Sequence, residues 1–260
     1  MNANEDQGEE PQFSVQSRDW REFRAALVAG SLADLERAKE DAYRKGHWAH
    51  SVPVPETGCF LASHPAYYRR SAPYLTQAVV FLTSYNPDVG ATGLVLNRPL
   101  QGTASELESM GMFGRSARVS DTPLSEEPVY AGGPDVSGTE IITAMHSDLG
   151  LLNGLSIQQP LRGVFITDAL QLVRRVPQSD MSSVRLFAGC IRWKKGELER
   201  EVDDGSWFCI SASKLFALEH CIQLPKPLWV EIMQSQGQPF AAIAERAVER
   251  GAEGGETNNS

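Results

Sequence analysis

Apolar residues in this chain form short clusters divided by turns, and helix-like spacing appears mainly near the two ends. Residues 79–82 (VVFL) are apolar at every position, which predicts a central strand that is covered on both faces. Residues 92–96 predict a second strand, and the turn residues at 86–90 join the two as a hairpin. Five further segments have strand-like composition: 58–63, 128–131, 140–144, 184–190 and 207–211.

Helical patterns begin at recognisable capping residues. Asp19 with Glu22 and Ser31 with Asp34 predict two amphipathic helices near the start of the chain. Thr103 with Glu106 predicts a short helix that runs through residue 110. Three more helices are predicted, one capped by Thr167 or Asp168 and two at residues 213–220 and 239–250.

The composition divides the chain into four parts. Residues 1–17 are acidic and lack periodic apolar positions, so we predict a disordered tail there. Residues 18–52 form an N-terminal helical extension, and residues 53–250 form the main folded domain. Residues 251–260 are rich in Gly, Glu and Asn, which predicts a second disordered tail.

Charge and composition narrow the classes of function. The net charge is −9, which argues against direct nucleic-acid binding because phosphate attracts a basic surface. No apolar run approaches the roughly 18 residues of a membrane span. The first 17 residues contain no Lys or Arg, unlike a targeting peptide. We therefore expect an intracellular soluble protein of the cytoplasm, or of a plastid if a transit peptide precedes this sequence.

Motifs for cofactors and metals are missing from the sequence. The four cysteines form no Cys-x-x-Cys pair, and they predict reduced, mostly buried thiols. There is no P-loop, no Gly-x-Gly-x-x-Gly, no His-Glu-x-x-His and no Gly-x-Ser-x-Gly sequence. We predict no cofactor and no metal site, and we assign no catalytic residue.

Four motifs in a fixed order carry a family resemblance. They are GATGLVLNRP at residues 90–99, YAGGP at 130–134, LFAGCIRW at 186–193, and GELERE at 196–201 followed by Trp207. Together they resemble the AlgH/YqgE family. The resemblance implies an α+β fold in which a bifurcated, mostly antiparallel sheet is rolled into a pseudo-barrel and flanked by helices. The helical extension resembles that of plant and algal members.

Asn97 and Arg98 are the strongest candidates for a ligand-binding site. Arginine offers a planar fork of donors that suits carboxylate or phosphate, and the pair follows a buried strand. The alternative is structural: Arg98 pairs with an internal carboxylate such as Glu201 and braces the fold. Both interpretations are open at the level of the sequence.

Three further positions are ligand-binding candidates. Gly132 and Gly133 precede a proline, and their N–H groups are suited to an anion nest, although glycines equally serve turns and close packing. His146 stands where members of the resembled family often carry a histidine. The chain also departs from the family pattern, because Arg192 and Glu197 replace a glycine and a glutamine.

Two functions from different classes follow from these observations. The first is a non-enzymatic binding protein with a regulatory or assembly role, whose partner is another protein or a small ligand. The alternative is an enzyme, of a hydrolase-like kind, with a site near Asn97, Arg98 and His146. An enzyme requires these side chains to converge in a pocket with a nucleophile or metal within reach.

Overall fold

The computed structural model describes Arg21 and residues 46–67, 72–113, 118–136, 142–152, 157–175 and 183–256. In chain order the strands are β1 (Ala49–Ser51), β2 (Phe60–Ser63), β3 (Val79–Asn86), β4 (Gly90–Val95), β5 (Pro99–Thr103), β6 (Pro128–Ala131), β7 (Ile142–His146), β8 (Gln158–Leu161), β9 (Val164–Asp168), β10 (Arg185–Ala188), β11 (Ile191–Lys194) and β12 (Trp207–Ala212). The α-helices are α1 (Ala104–Ser109), α2 (Ala169–Arg175), α3 (Glu197–Asp203), α4 (Leu215–Leu218), α5 (Leu228–Ser235) and α6 (Phe240–Glu256). Short 3-10 helices cover Pro73–Leu75, Leu149–Leu152 and Cys221–Gln223.

The strands form two six-stranded sheets. Sheet A has the order β1-β12-β2-β3-β4-β11, and sheet B has the order β5-β6-β10-β7-β9-β8. Every pairing is antiparallel except that of β6 with β10, which is parallel. The α+β class and the mostly antiparallel, bifurcated sheet are confirmed, and the two sheets remain open rather than closing into a true barrel.

The fork between the sheets lies at two chain crossings. The chain leaves sheet A for sheet B between β4 and β5, at residues 96–98, and it returns between β10 and β11, at Gly189 and Cys190. Residues 131–132 connect the two crossings: the Val95 N–H donates to Gly132 O and the Ala131 N–H donates to Arg98 O, each at 2.8 Å, and the Gly132 N–H donates to Ala188 O at 2.7 Å. The motif that contains Asn97 and Arg98 is therefore part of the fork.

The apolar residues of several predicted strands are buried, and they divide between two clusters. Phe81, Leu94 and Phe187 pack in a cluster with α5 and α6, whereas Val80 and Leu82 pack in another with Trp207. The reason is the alternation of side chains along a strand, which sends neighbours in β3 to opposite faces of sheet A. Both faces of the sheet are covered, as the uninterrupted apolar run predicts.

Local capping predictions are confirmed. Thr103 and Glu106 form a reciprocal capping box at the start of α1. At the start of α2 the Gln171 N–H donates to Asp168 Oδ1 at 2.8 Å, which identifies Asp168 as the capping residue.

The structure differs from the sequence interpretation at three places. Residues 49–51, which the sequence assigns to the helical extension, form edge strand β1 and pair with β12. Helix α6 continues to Glu256, past the predicted start of the C-terminal tail at residue 251. Strands β5, β8, β9 and β11 and helix α5 have no counterpart in the sequence predictions.

The two predicted N-terminal helices and the tail at 1–17 lie outside the described residues, with the exception of Arg21. Arg21 is helical, and its guanidinium donates to Thr57 O at 2.6 Å and to Glu56 Oε1 at 3.3 Å. Among the helices that the structure describes, none has the length and apolar content needed to cross a membrane.

Candidate functional site

Asn97 closes the loop between the 3-10 helix at Pro73–Leu75 and strand β3. Its Nδ2 donates to Gln77 O at 2.8 Å, and its Oδ1 accepts the Val79 N–H at 3.0 Å. Gln77 has a φ of 53°, a left-handed conformation that costs a residue with a Cβ about 1–2 kcal/mol. The Asn97 amide therefore holds a strained backbone in place next to Arg98.

Arg98 donates to three backbone carbonyls around the same loop. Its Nε bonds Tyr74 O at 2.8 Å, one terminal nitrogen bonds Asn97 O at 2.9 Å, and the other bonds Thr76 O. The pairing with Glu201 that the sequence suggested is wrong, because Glu201 receives hydrogen bonds from two tryptophans instead. Arg98 is thus a brace, and its acceptors are peptide carbonyls rather than a carboxylate.

The guanidinium retains capacity for a further partner. Each terminal nitrogen carries two N–H groups, and each makes one of the bonds above. One N–H on each terminal nitrogen has no acceptor among the residues that the structure describes. Arg98 is half-buried, and burial lowers its pKa.

A cavity of about 270 Å³ opens beside Arg98. One wall is the loop of Thr76 and Gln77 with the Asn97-Arg98-Pro99 turn, and the opposite wall is residues 221–222 and 227–229. Trp229 anchors that opposite wall, since its indole N–H donates to Ser63 O at 3.0 Å and holds the start of α5 against sheet A. Ile222 is 56 % exposed at the rim.

A second arginine, Arg185, binds the same turn from the protein interior. Arg185 is fully buried and donates to Leu96 O at 2.8 Å and to Ala217 O at 2.5 Å. Its guanidinium carbon lies 4.5 Å from the centre of the Tyr130 ring and 5.1 Å from that of Phe187. Two arginines therefore fix residues 96–98, Arg98 from the cavity side and Arg185 from the core.

Cys221 is close enough to Arg98 and Arg185 for both charges to act on its thiol. Burial raises the pKa of the Cys221 thiol, and the charges of Arg185 and Arg98 act in the opposite direction. The Tyr130 hydroxyl is 3.1 Å from His220 Nδ1, and burial raises the pKa of Tyr130 to about 12. Burial, together with Arg185, lowers the pKa of His220 to about 4, so this imidazole is neutral at pH 7.

Gly132 and Gly133 lie at the fork, where two backbones approach closely. The Gly132 N–H donates to Ala188 O at 2.7 Å, so it is engaged within the sheet rather than presented to an anion. A Cβ on Gly132 would lie 2.3 Å from Gly189 O, and one on Gly133 would lie 2.2 Å from the Cys190 carbonyl carbon. Close packing accounts for both glycines.

His146 lies apart from Arg98. Strands β6 and β10 separate β7, which ends at His146, from β5, which begins next to Arg98. Three strand spacings correspond to about 14 Å. His146 is fully buried against Phe165, at 5.7 Å between ring centres, and burial lowers its pKa. The topology does not bring His146 to the Asn97-Arg98 turn.

The two residues that depart from the family pattern, Arg192 and Glu197, make local interactions with residues near them. Arg192 pairs with Asp135 at 2.7 Å and is 57 % exposed. Glu197 accepts the Lys194 N–H at 2.8 Å at the start of α3. Neither residue lines the cavity. Within the described ranges, no group of three or more His, Cys, Asp or Glu side chains is arranged to hold a metal ion.

Several residues of this region carry no strong signal in the sequence. Arg185 is a single arginine at the start of an apolar strand, and Trp229 sits in a segment without a predicted element. Cys221 was grouped with the other cysteines as a buried thiol. The structure shows how Arg185 is connected to Arg98. Arg185 is buried next to two aromatic rings and donates to two carbonyls, one of which belongs to the turn that contains Arg98.

The sequence of this chain and its forked α+β fold both match a known group of proteins. The sequence profile of the AlgH-like family (DUF179) matches residues 60–241, and the chain belongs to that family. The resemblance in the four motifs is therefore confirmed.

Bacterial relatives cover most of the chain. A UPF0301 protein of Thermobifida fusca is 27 % identical over 205 residues, which are 75 % of this chain and 94 % of the relative. A UPF0301 protein of Ralstonia nicotianae is 30 % identical over 165 residues, 62 % of this chain and 79 % of the relative.

Two solved structures share the fold. The solution structure of AlgH from Pseudomonas aeruginosa superposes with a TM-score of 0.50 at 22 % identity, covering 65 % of this chain and 84 % of that protein. A crystal structure from Corynebacterium diphtheriae gives a TM-score of 0.50 at 16 % identity, with 74 % and 92 % covered. At these identities the likeness concerns the fold alone.

Proposed function

We propose that this protein is a non-enzymatic, intracellular binding protein and that its binding site is the cavity beside Arg98. Occupancy of the cavity by a small ligand or by a segment of a partner protein serves a regulatory or assembly role. The observation that carries the proposal is the combination of a cavity of about 270 Å³ with an arginine on its wall, two of whose N–H groups have no acceptor among the described residues.

The construction of the wall supports binding rather than simple packing. Asn97 and Arg98 together make five hydrogen bonds to the surrounding backbone, including one that holds the left-handed Gln77. Strained backbone that is held by its surroundings is typical of ligand sites, because the geometry is set before the ligand arrives. The site is also close in volume to the lower end of small-molecule pockets, roughly 300 Å³.

The enzyme alternative receives less support. It depends on His146 acting with Asn97 and Arg98, and two strands lie between them. Among the described residues that line the cavity, Thr76 and Cys221 carry nucleophilic groups, and the nearby His220 imidazole is directed to Tyr130. A location in the cytoplasm or in a plastid stays part of the proposal.

The test is a fragment screen by NMR on the full chain, read from methyl and amide shifts. We expect hits that perturb Leu228 and Ile222, both on the cavity wall. Ile222→Trp fills the rim and abolishes those hits. Val89→Trp is the matched control, because Val89 is 75 % exposed on the β3–β4 turn and Val89 does not line the cavity. Hits that survive Ile222→Trp, or that map to another surface, contradict the proposal.

A further inference from the structure

The cavity beside Arg98 also indicates the chemistry of its ligand. We propose that it binds a small monocarboxylate that has an apolar body, with the carboxylate on Arg98 and the body against the wall made by residues 221–222 and 227–229. This inference rests on the proposed function and specifies the class of ligand.

The donors match a carboxylate in number. Among the residues that the structure describes, two N–H groups of Arg98 have no acceptor, one on each terminal nitrogen. A carboxylate has two oxygens, each able to accept one of them, and charge-assisted bonds of this kind are roughly twice as strong as neutral ones. A dianionic phosphate needs more donors than one partly occupied guanidinium supplies, and among the described residues that line the cavity Arg98 is the only cationic side chain.

The charges of Arg98 and Arg185 make the region next to the cavity positive, which favours an anionic ligand. Among the described residues, neither Arg98 nor Arg185 forms an ion pair with Asp or Glu. Burial lowers the pKa values of both arginines. The described residues thus place no carboxylate against either guanidinium, in a chain whose net charge is −9. Desolvated positive charge that lacks a counter-ion favours binding of an anion.

Five of the described residues that line the cavity are apolar: Pro99, Ile222, Pro227, Leu228 and Trp229. Leu228 and Trp229 are almost completely buried, whereas Pro99, Ile222 and Pro227 are exposed and present apolar surface. A purely inorganic anion would leave this surface in contact with water. A ligand with a ring or a short acyl chain covers it, and burial of apolar area contributes about 25 cal/mol per Å². The cavity therefore fits an amphiphilic molecule of limited size.

The experiment uses a panel of aryl and short aliphatic carboxylates, beginning with 3-phenylpropanoate, each paired with its neutral amide. Phenyl phosphate and inorganic phosphate complete the panel. Binding to the full chain is measured by NMR titration at pH 7.5 and low salt. We expect at least one carboxylate to bind at the cavity tenfold or more tightly than its amide, and more tightly than phenyl phosphate.

A charge variant at the rim keeps the test independent of folding. Ile222→Glu adds a negative charge at an exposed position, and Ile222→Gln adds the same shape without charge. A repulsion of about 1 kcal/mol corresponds to roughly fivefold weaker carboxylate binding in Ile222→Glu than in Ile222→Gln. The affinity of any amide that binds is expected to be equal in the two variants.

The outcomes separate this inference from the proposed function. If amides bind at the cavity as tightly as carboxylates, or if phenyl phosphate binds most tightly, the carboxylate assignment is wrong while the cavity remains a binding site. Equal carboxylate affinity in the Glu and Gln variants also overturns it. If no probe binds while unrelated fragments occupy the cavity, the inference fails alone. If fragments avoid the cavity as well, the proposed function fails with it.

Discussion

Trp193 and Trp207 donate their indole N–H groups to the same oxygen, Oε2 of Glu201, at 3.0 and 2.7 Å. Trp193 belongs to β11 at one edge of sheet A, and Trp207 begins β12 near the other. Their rings meet edge to face with centres 6.3 Å apart. One carboxylate on α3 therefore connects two strands that are not neighbours, which explains structurally why Glu201 and the tryptophans occur together in the family motif.

We expect Glu201→Ala to lower the free energy of unfolding by about 2–4 kcal/mol, because it removes the acceptor of two almost completely buried indole N–H groups. Glu201→Gln keeps a carbonyl acceptor and should cost less. Chemical denaturation measures both. Glu249→Ala, on the exposed face of α6, is the control and should change stability by at most about 0.5 kcal/mol. If Glu201→Ala matches the control, the shared acceptor does not stabilise the fold.

Arg98→Lys tests the brace. Lysine keeps the charge but cannot bond three carbonyls with a planar fork, so we expect a loss of about 1–3 kcal/mol in the free energy of unfolding. Arg192→Lys is the control, because Arg192 is mostly exposed and its ion pair contributes little. If Arg98 also contacts the ligand, fragments bind the folded variant more weakly. Unchanged stability would contradict the role of Arg98 as a brace.

Gly132→Ala tests the close approach at the fork. The added methyl group would lie 2.3 Å from the backbone oxygen of Gly189, with the buried side chains of Leu94 and Phe187 each at 3.2 Å. We expect a loss of about 3 kcal/mol or more, or failure to fold. Gly150→Ala is a matched control, because its nearest contact is the flexible Asp148 side chain at 3.1 Å. Comparable melting temperatures for the two variants would show that the crossing adapts.

The pKa of His220 predicts a pH dependence of stability. Burial and Arg185 hold the pKa of His220 at about 4 in the folded protein, against about 6.5 when unfolded. Between these values the unfolded state binds the additional proton, so stability falls as the pH drops from about 6.5 towards 4. His220→Asn removes the titrating group and keeps polar atoms near Tyr130.

The comparison is the difference in unfolding free energy between pH 7.5 and 5.0 in the wild type and in His220→Asn. Carboxylates and the other histidines titrate in both proteins, so their contributions cancel to a first approximation. We expect the smaller decrease in the variant. An equal decrease in both proteins would place the pKa of His220 near its ordinary value.

Residues close in the sequence determined much of the local structure. The apolar run in β3 and the turn before β4 specify a hairpin whose two strands are adjacent in the chain. Thr103 and Asp168 cap helices through bonds to residues three positions away. Such interactions join residues within one helical turn, so they can be predicted from the sequence without knowledge of the fold. The family motifs also predicted the fork between the sheets. Residues 96–98 and 189–190, where the chain crosses from one sheet to the other, lie within these motifs.

The partners of the candidate site were decided by tertiary structure. Asn97 and Arg98 stand out in the sequence, but their acceptors at Tyr74, Thr76 and Gln77 are backbone carbonyls, which any residue type supplies. The distance between His146 and Arg98 follows from the insertion of β6 and β10 between their strands. The opposite wall of the cavity includes the start of α5, which lies more than 120 residues after Arg98 in the sequence. Long-range contacts of this kind leave no periodic pattern in the sequence, and they form only when both sheets pack together.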